Sequence, residues 1–269
     1  MSSGVKMPSI FAYLSAEVDW CEGNFEHSEY IAEYYNTISN IIFFIMTPFV
    51  IMLNFDYMKY RPIPVRSLAV LVAMIGISSI YFHMTLSYAG QMLDELSILW
   101  TIGLSYACWF PTNHYPPFIK NRVQFQWLVG ILTVLTSLLS FIKPVLNAYA
   151  LNSVGIHILY VIFMEAKMST NPRARRLAAI TVIWWFIAIT CWIADKFFCE
   201  FCKKINFCYL HSLWHIFINL ALMYLSTLII YLDVLYEMPG SVPNLTYWPS
   251  EKSPLTLPCL VIGKSQKWC

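Results

Sequence analysis

Two histidines one helical turn apart stand in the stretch Y-L-H-S-L-W-H at residues 209–215, inside a run from 205 to 232 that contains no Asp, Glu, Lys or Arg. At i and i+4, the side chains of His211 and His215 leave one face of a helix about 6 Å apart, close enough to share an ion. His83, Asp94 and Ser79, which precedes His83 by four residues, are further polar groups in apolar surroundings. Three neutral imidazoles, His83, His211 and His215, match the ligand set of a catalytic zinc site, whose fourth position is left to water. Asp94 adds a carboxylate that can orient a ligand or act on that water, and Ser79 adds a hydroxyl beside the first ligand. The chemistry indicated is hydrolysis of an amide or ester whose apolar part lies in a bilayer.

Two other metal readings fit less well than zinc. Membrane di-iron oxygenases need roughly eight histidines, and this chain has six, of which His27 and His114 fall in loops. A bis-histidine haem needs axial ligands on opposite sides of the macrocycle, whereas His211 and His215 share one face. His157, alone within an apolar span, reads as a packing residue.

The elements that must position these groups follow from composition. The chain has 269 residues, 58% of them hydrophobic and only 12% charged, against about 25% charged in a soluble domain. Charge-free runs cover 67–93, 123–142, 144–164, 177–194 and 205–232, each near the roughly 20 residues that cross a bilayer as a helix. The pattern predicts an all-α membrane protein, a bundle of seven transmembrane helices at about 33–55, 64–86, 92–110, 123–142, 145–166, 177–195 and 207–232. The third is short, and only Lys143-Pro144 separates the fourth from the fifth.

The loops after the first, third and fifth spans, with the tail, hold most of the 17 Lys and Arg, which places the N-terminus in the lumen or exterior and the C-terminus in the cytosol. The first thirty residues lack a long apolar core, so no secretory signal peptide is expected. On this topology His83, Asp94, His211 and His215 all lie near the luminal face. Residues 1–32 form a luminal acidic head, 33–236 the helical catalytic domain and 237–269 a cytosolic tail. The tail has five prolines and mixed polarity, and reads as irregular. The sequon Asn244-Leu245-Thr246 falls in that tail, where it is not glycosylated.

Cys108 and Cys191 fall within spans and Cys259 and Cys269 in the tail, whereas Cys21, Cys199 and Cys202 lie on the oxidising side, with Cys208 at the membrane edge. A bridge from Cys21 to Cys199 or Cys202 is expected. Residues 17–33 concentrate six of the fifteen acidic residues. Asp19, Glu22, Asn24 and Glu33 offer the hard oxygens that calcium takes, but their spacing is not that of an EF-hand. On the residues alone a solvated acidic head is the favoured reading.

The set S-x-x-x-H at Ser79 and His83, Asp94 and H-x-x-x-H at His211 and His215, spread over seven spans, resembles the alkaline ceramidase family within the wider group that includes the adiponectin receptors. The resemblance covers nearly the whole chain and includes E-V-D-W-C-E at 17–22, E-Y-Y-N-T-I-S-N at 33–40, Y-F-H-M-T-L-S at 81–87, L-D-E at 93–95 and N-A-Y-A-L-N-S at 147–153. It implies calcium-dependent hydrolysis of ceramide to sphingosine and a free fatty acid in the endoplasmic reticulum membrane, rather than the Golgi. By the same resemblance His83, His211 and His215 bind zinc, Asp94 is general base and then proton donor, and Ser79 holds the oxyanion. Asp19, Glu22, Asn24 and Glu33, with the carbonyl of Trp20, become a calcium site, and the bridge becomes Cys21 to Cys199. Met7-Pro8-Ser9-Ile10 resembles the family's usual start, which makes residues 1–6 an extension.

The rival from another class is a seven-span lipid-binding receptor or scaffold with a structural zinc. Three ligands plus an acid/base carboxylate favour the enzyme, and a transporter is disfavoured by the lack of an inverted repeat. The expected partners are ceramide and membrane lipid, with no nucleic acid; a helical bundle of this kind needs no partner chain to fold, so a monomer is the default.

Overall fold

The computed structural model describes residues 9–251 and 256–264; the expectations for residues 1–8, which include Met7 and Pro8, and for Cys269 lie outside them. The order is α1 Tyr34–Ser39, α2 Ile41–Leu53, α3 Phe55–Met58, α4 Pro62–Thr85, α5 Tyr88–Trp109, α6 Arg122–Ile142, α7 Val145–Met168, α8 Pro172–Phe197, α9 Cys199–Lys204, α10 Leu210–Glu237, β1 Ser241–Trp248 and β2 Leu257–Lys264. Helices α1 and α2 form one rod broken only at Asn40. Among the described residues six helices, counting that rod as Tyr34–Leu53 together with α4, α6, α7, α8 and α10, are long and apolar enough to cross a membrane. Helix α5 has 22 residues but carries Gln91, Asp94 and Glu95 in its first two turns, which dilute its hydropathy.

Local chemistry sets the helix ends. Pro62 and Pro172 occupy first-turn positions, where a missing N–H costs nothing. Ser87, Asn121 and Asn171 cap α5, α6 and α8 through side-chain oxygens, each worth about 1 kcal/mol. The outer faces are apolar: Val123, Trp127, Ile131, Leu135, Leu138 and Ile142 of α6 are all exposed. In water such a face would aggregate; in lipid it is the solvated one.

The main packing pairs are α8 with α10 and α4 with α5. The largest apolar core lies towards one end of the bundle, around Val65, Leu68 and Val72 of α4, Leu177 of α8 and Met223, Leu228 and Ile230 of α10. His83, His211 and His215 lie at the other end of the same helices.

The expectation of an irregular tail is corrected. β1 and β2 pair antiparallel, with Leu245 opposite Leu260 and Tyr247 opposite Pro258, and Leu245 and Leu260 join the main core. In a two-stranded sheet each strand has a free edge, so Pro243 and Pro258 are tolerated where a central strand would reject them. Asn244, the sequon residue, lies in β1 and accepts from Arg173 at 3.3 Å.

Candidate metal and catalytic centre

His83 sits in the last turn of α4, which ends with Leu86 in the left-handed conformation (φ 45°). That reversal feeds at once into α5, and the two helices meet closely at Gly90, where a Cβ would come within 2.9 Å of Phe82 Cα. Asp94 follows one turn later, so the chain reversal brings it back beside the end of α4. His211 and His215 occupy the first two turns of α10. The start of α10 is fixed by Asp195 of α8, whose Oδ1 accepts from the His211 N–H at 3.2 Å and whose Oδ2 accepts from the Cys21 N–H at 2.9 Å.

The three imidazoles form a near-equilateral cluster, with ring centroids 5.0 Å apart for His83 and His211, 5.1 Å for His83 and His215 and 4.9 Å for His211 and His215. One donor atom from each lies within 4.8 Å of the other two, and all three residues are buried. His83 Nε2, His211 Nδ1 and His215 Nε2 have no hydrogen-bond partner in the protein. A buried polar atom left unpaired costs roughly 1–3 kcal/mol, so three histidines that each have one and that offer ligand atoms within 4.8 Å of one another call for a shared partner. A cation with nitrogen preference and room for three protein ligands fits them, and zinc is compatible.

The second ring nitrogens of His83 and His215 are anchored. Nδ1 of His83 faces Glu33 Oε2, and Nδ1 of His215 lies 2.7 Å from Ser39 Oγ. His211 is held instead by its ring face, which stacks on Trp20 with centroids 3.7 Å apart. Asp94 Oδ1 is also buried without a partner, and the Ser79 hydroxyl lies within interaction range of the Asp94 carboxyl. All five residues expected in the zinc and catalytic set are therefore buried at one end of the bundle.

The expected calcium residues also lie together. Asn24 Nδ2 reaches both oxygens of Asp19 at 3.3 Å, the Trp20 N–H donates to Glu33 Oε1 at 3.1 Å, and the Asp19 and Glu33 carboxyls lie within interaction range of each other. Glu22 caps α1, accepting from the N–H groups of Tyr35 at 2.6 Å and Asn36 at 2.8 Å. Burial pushes its carboxyl above the usual range, and those two donors oppose the shift. Cys21 and Cys199 are joined by a disulfide, with Cα atoms 5.2 Å apart. Cys202 is free and buried, which resolves the choice between the two partners. His157 pairs with Tyr106 at 3.1 Å, as a packing residue does.

Sequence reasoning missed Ser39, Asn36 and the anchoring role of Asp195. A signal for the first two exists: Glu33, Asn36 and Ser39 recur every three residues, a polar stripe on one face of an otherwise apolar span. Asp195 carries no comparable signal, because its partners are backbone N–H groups 174 and 16 residues away.

A family model described as Ceramidase matches residues 12–261. The chain belongs to that family. It is 46% identical over 264 residues to alkaline ceramidase 1 of Homo sapiens, covering 98% of this chain and 100% of the relative. It is 39% identical over 254 residues to alkaline ceramidase of Drosophila melanogaster, covering 94% of this chain and 90% of the relative. At 25% identity over 264 residues, similarity extends to alkaline ceramidase 3 of Mus musculus, covering 94% of each chain. The ceramidase-family match spans the head, the whole helical bundle and most of the hairpin.

Proposed function

We propose that this chain is an intramembrane zinc-dependent amidase that hydrolyses ceramide to sphingosine and a free fatty acid. The carrying observation is three buried histidines, each offering a ligand atom within 4.8 Å of the other two and each with an unpaired ring nitrogen, at the same end of the bundle as the buried, unpaired Asp94 Oδ1, in a member of the ceramidase family.

His83, His211 and His215 would hold the metal. Zinc, when bound, supplies Lewis acidity, making water nucleophilic near neutral pH and drawing charge from a carbonyl oxygen. Asp94 removes the proton from the attacking water as its oxygen bonds to the amide carbon. The Ser79 hydroxyl donates to the carbonyl oxygen as negative charge builds there. Asp94 then delivers the proton to the departing nitrogen, so that one water is consumed and a carboxylic acid and an amine are released. Burial keeps bulk water from competing with these interactions. A structural zinc in a receptor or scaffold would give no use to a buried, unpaired carboxylate oxygen at the same end of the bundle.

In the accompanying topology the chain crosses the endoplasmic reticulum membrane seven times, α5 included, with the acidic head luminal and the hairpin tail cytosolic. The division into head 1–32, catalytic bundle 33–236 and tail 237–269 belongs to this reading. Calcium binds the head through Asp19, Glu22, Asn24, Glu33 and the carbonyl of Trp20. Support comes from the buried, unpaired Oδ1 of Asn24 and the proximity of the Asp19 and Glu33 carboxyls. Because Glu33 also touches His83, order in the head is transmitted to the metal site.

The test is release of fatty acid and sphingosine from ceramide by the purified protein. Release that requires zinc and weakens on calcium chelation supports the reading; a zinc-loaded, folded protein that leaves ceramide intact rejects it.

A further inference from the structure

The polar stripe of α1 does more than bring Glu33 to His83. Asn36 Nδ2 donates to Glu33 Oε2 at 3.1 Å, and Asn36 Oδ1 accepts from Ser212 Oγ of α10 at 2.7 Å. The backbone carbonyl of Asn36 accepts from Ser39 Oγ at 3.0 Å. Ser39 Oγ in turn lies 2.7 Å from His215 Nδ1. A carbonyl oxygen can only accept, so a Ser39 hydroxyl that donates to Asn36 meets His215 with a lone pair. In that arrangement Nδ1 of His215 carries the ring proton. The opposite one, Ser39 donating to Nδ1, would put the proton on Nε2, which has no partner in the protein, and would leave no lone pair there for a metal.

We propose that Ser39 is a positioning residue for His215, holding it as the Nδ1–H tautomer with the Nε2 lone pair presented to the metal. The proposal rests on the zinc reading above and adds a residue to it. In metal sites the second nitrogen of a histidine ligand is routinely held by an acceptor, and loss of that acceptor weakens metal affinity by about 10–100-fold. Here the acceptor is a hydroxyl whose orientation is set by the turn of helix on which it sits, so both ends of α1 hold a metal ligand: Glu33 holds His83 and Ser39 holds His215.

The experiment compares wild type, Ser39→Ala and Ser39→Thr as purified full-length protein, with zinc affinity read by competition against a chromophoric chelator. The expected result is about 10–100-fold weaker zinc binding in Ser39→Ala, near wild-type binding in Ser39→Thr, and equal melting temperatures for all three once stripped of metal. Excess zinc restores turnover to Ser39→Ala, which it would not do if the hydroxyl served only packing. If Ser39→Ala fails to accumulate folded, Ser39→Cys, nearly the same shape but a poor acceptor, is read the same way. Wild-type zinc affinity in the Ala or Cys variant overturns the proposal, as does a loss of turnover that zinc does not rescue. Wild-type protein that binds no zinc overturns the metal reading itself, a distinct outcome.

Discussion

The two ends of the bundle both bury ionisable groups, and they treat them differently. At the end nearer the hairpin, Asp233 of α10 accepts from Tyr57 at 2.6 Å and from Arg61 at 3.0 Å and 3.1 Å, and Trp109 donates to the same tyrosine oxygen at 3.0 Å. Nearby, Glu165 has one oxygen on His114 and the other on Tyr236, each at 2.8 Å. Both carboxylates have partners on both oxygens. At the other end three imidazole nitrogens and a carboxylate oxygen have none. Burial of charge within a membrane helix is therefore not by itself the mark of a reactive site. The mark is clustering: single unpaired atoms such as Asn54 Oδ1 and Tyr115 Oη also occur elsewhere, whereas His83, His211 and His215 offer three ligand atoms within 4.8 Å of one another, an arrangement suited to a partner the protein does not itself supply.

Substitutions at the two ends should separate along that line. The largest effect is expected for His211→Ala and His215→Ala, which should lose bound zinc and ceramide hydrolysis together; zinc analysis alongside a product assay checks both. Asp94→Asn should keep its zinc while turnover falls by about 10²–10⁴-fold, the range of a lost general acid/base, and loss of the metal as well would make Asp94 a ligand instead. Ser79→Ala should also retain zinc, with a kcat drop corresponding to about 2.7–4 kcal/mol if the hydroxyl stabilises an oxyanion.

The opposite end should answer in stability. Asp233→Ala removes the acceptor shared by Tyr57 and Arg61 and should cost about 1–3 kcal/mol, seen as a lower melting temperature. Turnover per folded molecule should stay near wild type. A large fall in specific activity without loss of zinc would erase the distinction drawn between the two ends.

Much of this was legible before the structure. Charge-free runs located the helices to within a few residues at most ends, because lipid tolerates few unpaired charges and so writes span boundaries into composition. The i, i+4 histidines and the matching depth of His83 gave the three-histidine group that could hold a metal ion, since helix geometry and the order of the spans bring them level. The hairpin was hidden by its prolines, which read as breakers until the pairing of β1 with β2 places them in a sheet of two edge strands. The holding of Nδ1 on His83 and His215 was hidden for another reason: residues 50 and 176 apart in sequence meet there, and no local pattern states which polar residue on one helix will face which nitrogen on another. The odd feature of α1, a polar stripe in an apolar span, was visible, but its purpose needed the partner.

The central claim is that the unpaired nitrogens of His83, His211 and His215 exist to hold a metal without which ceramide is not cleaved. The most direct measurement strips the purified protein with a chelator, quantifies zinc per chain, and follows sphingosine release before and after zinc is returned. One zinc per chain, activity that falls with zinc content and recovery on re-addition are the predicted results. Full turnover from a zinc-free preparation would contradict the account.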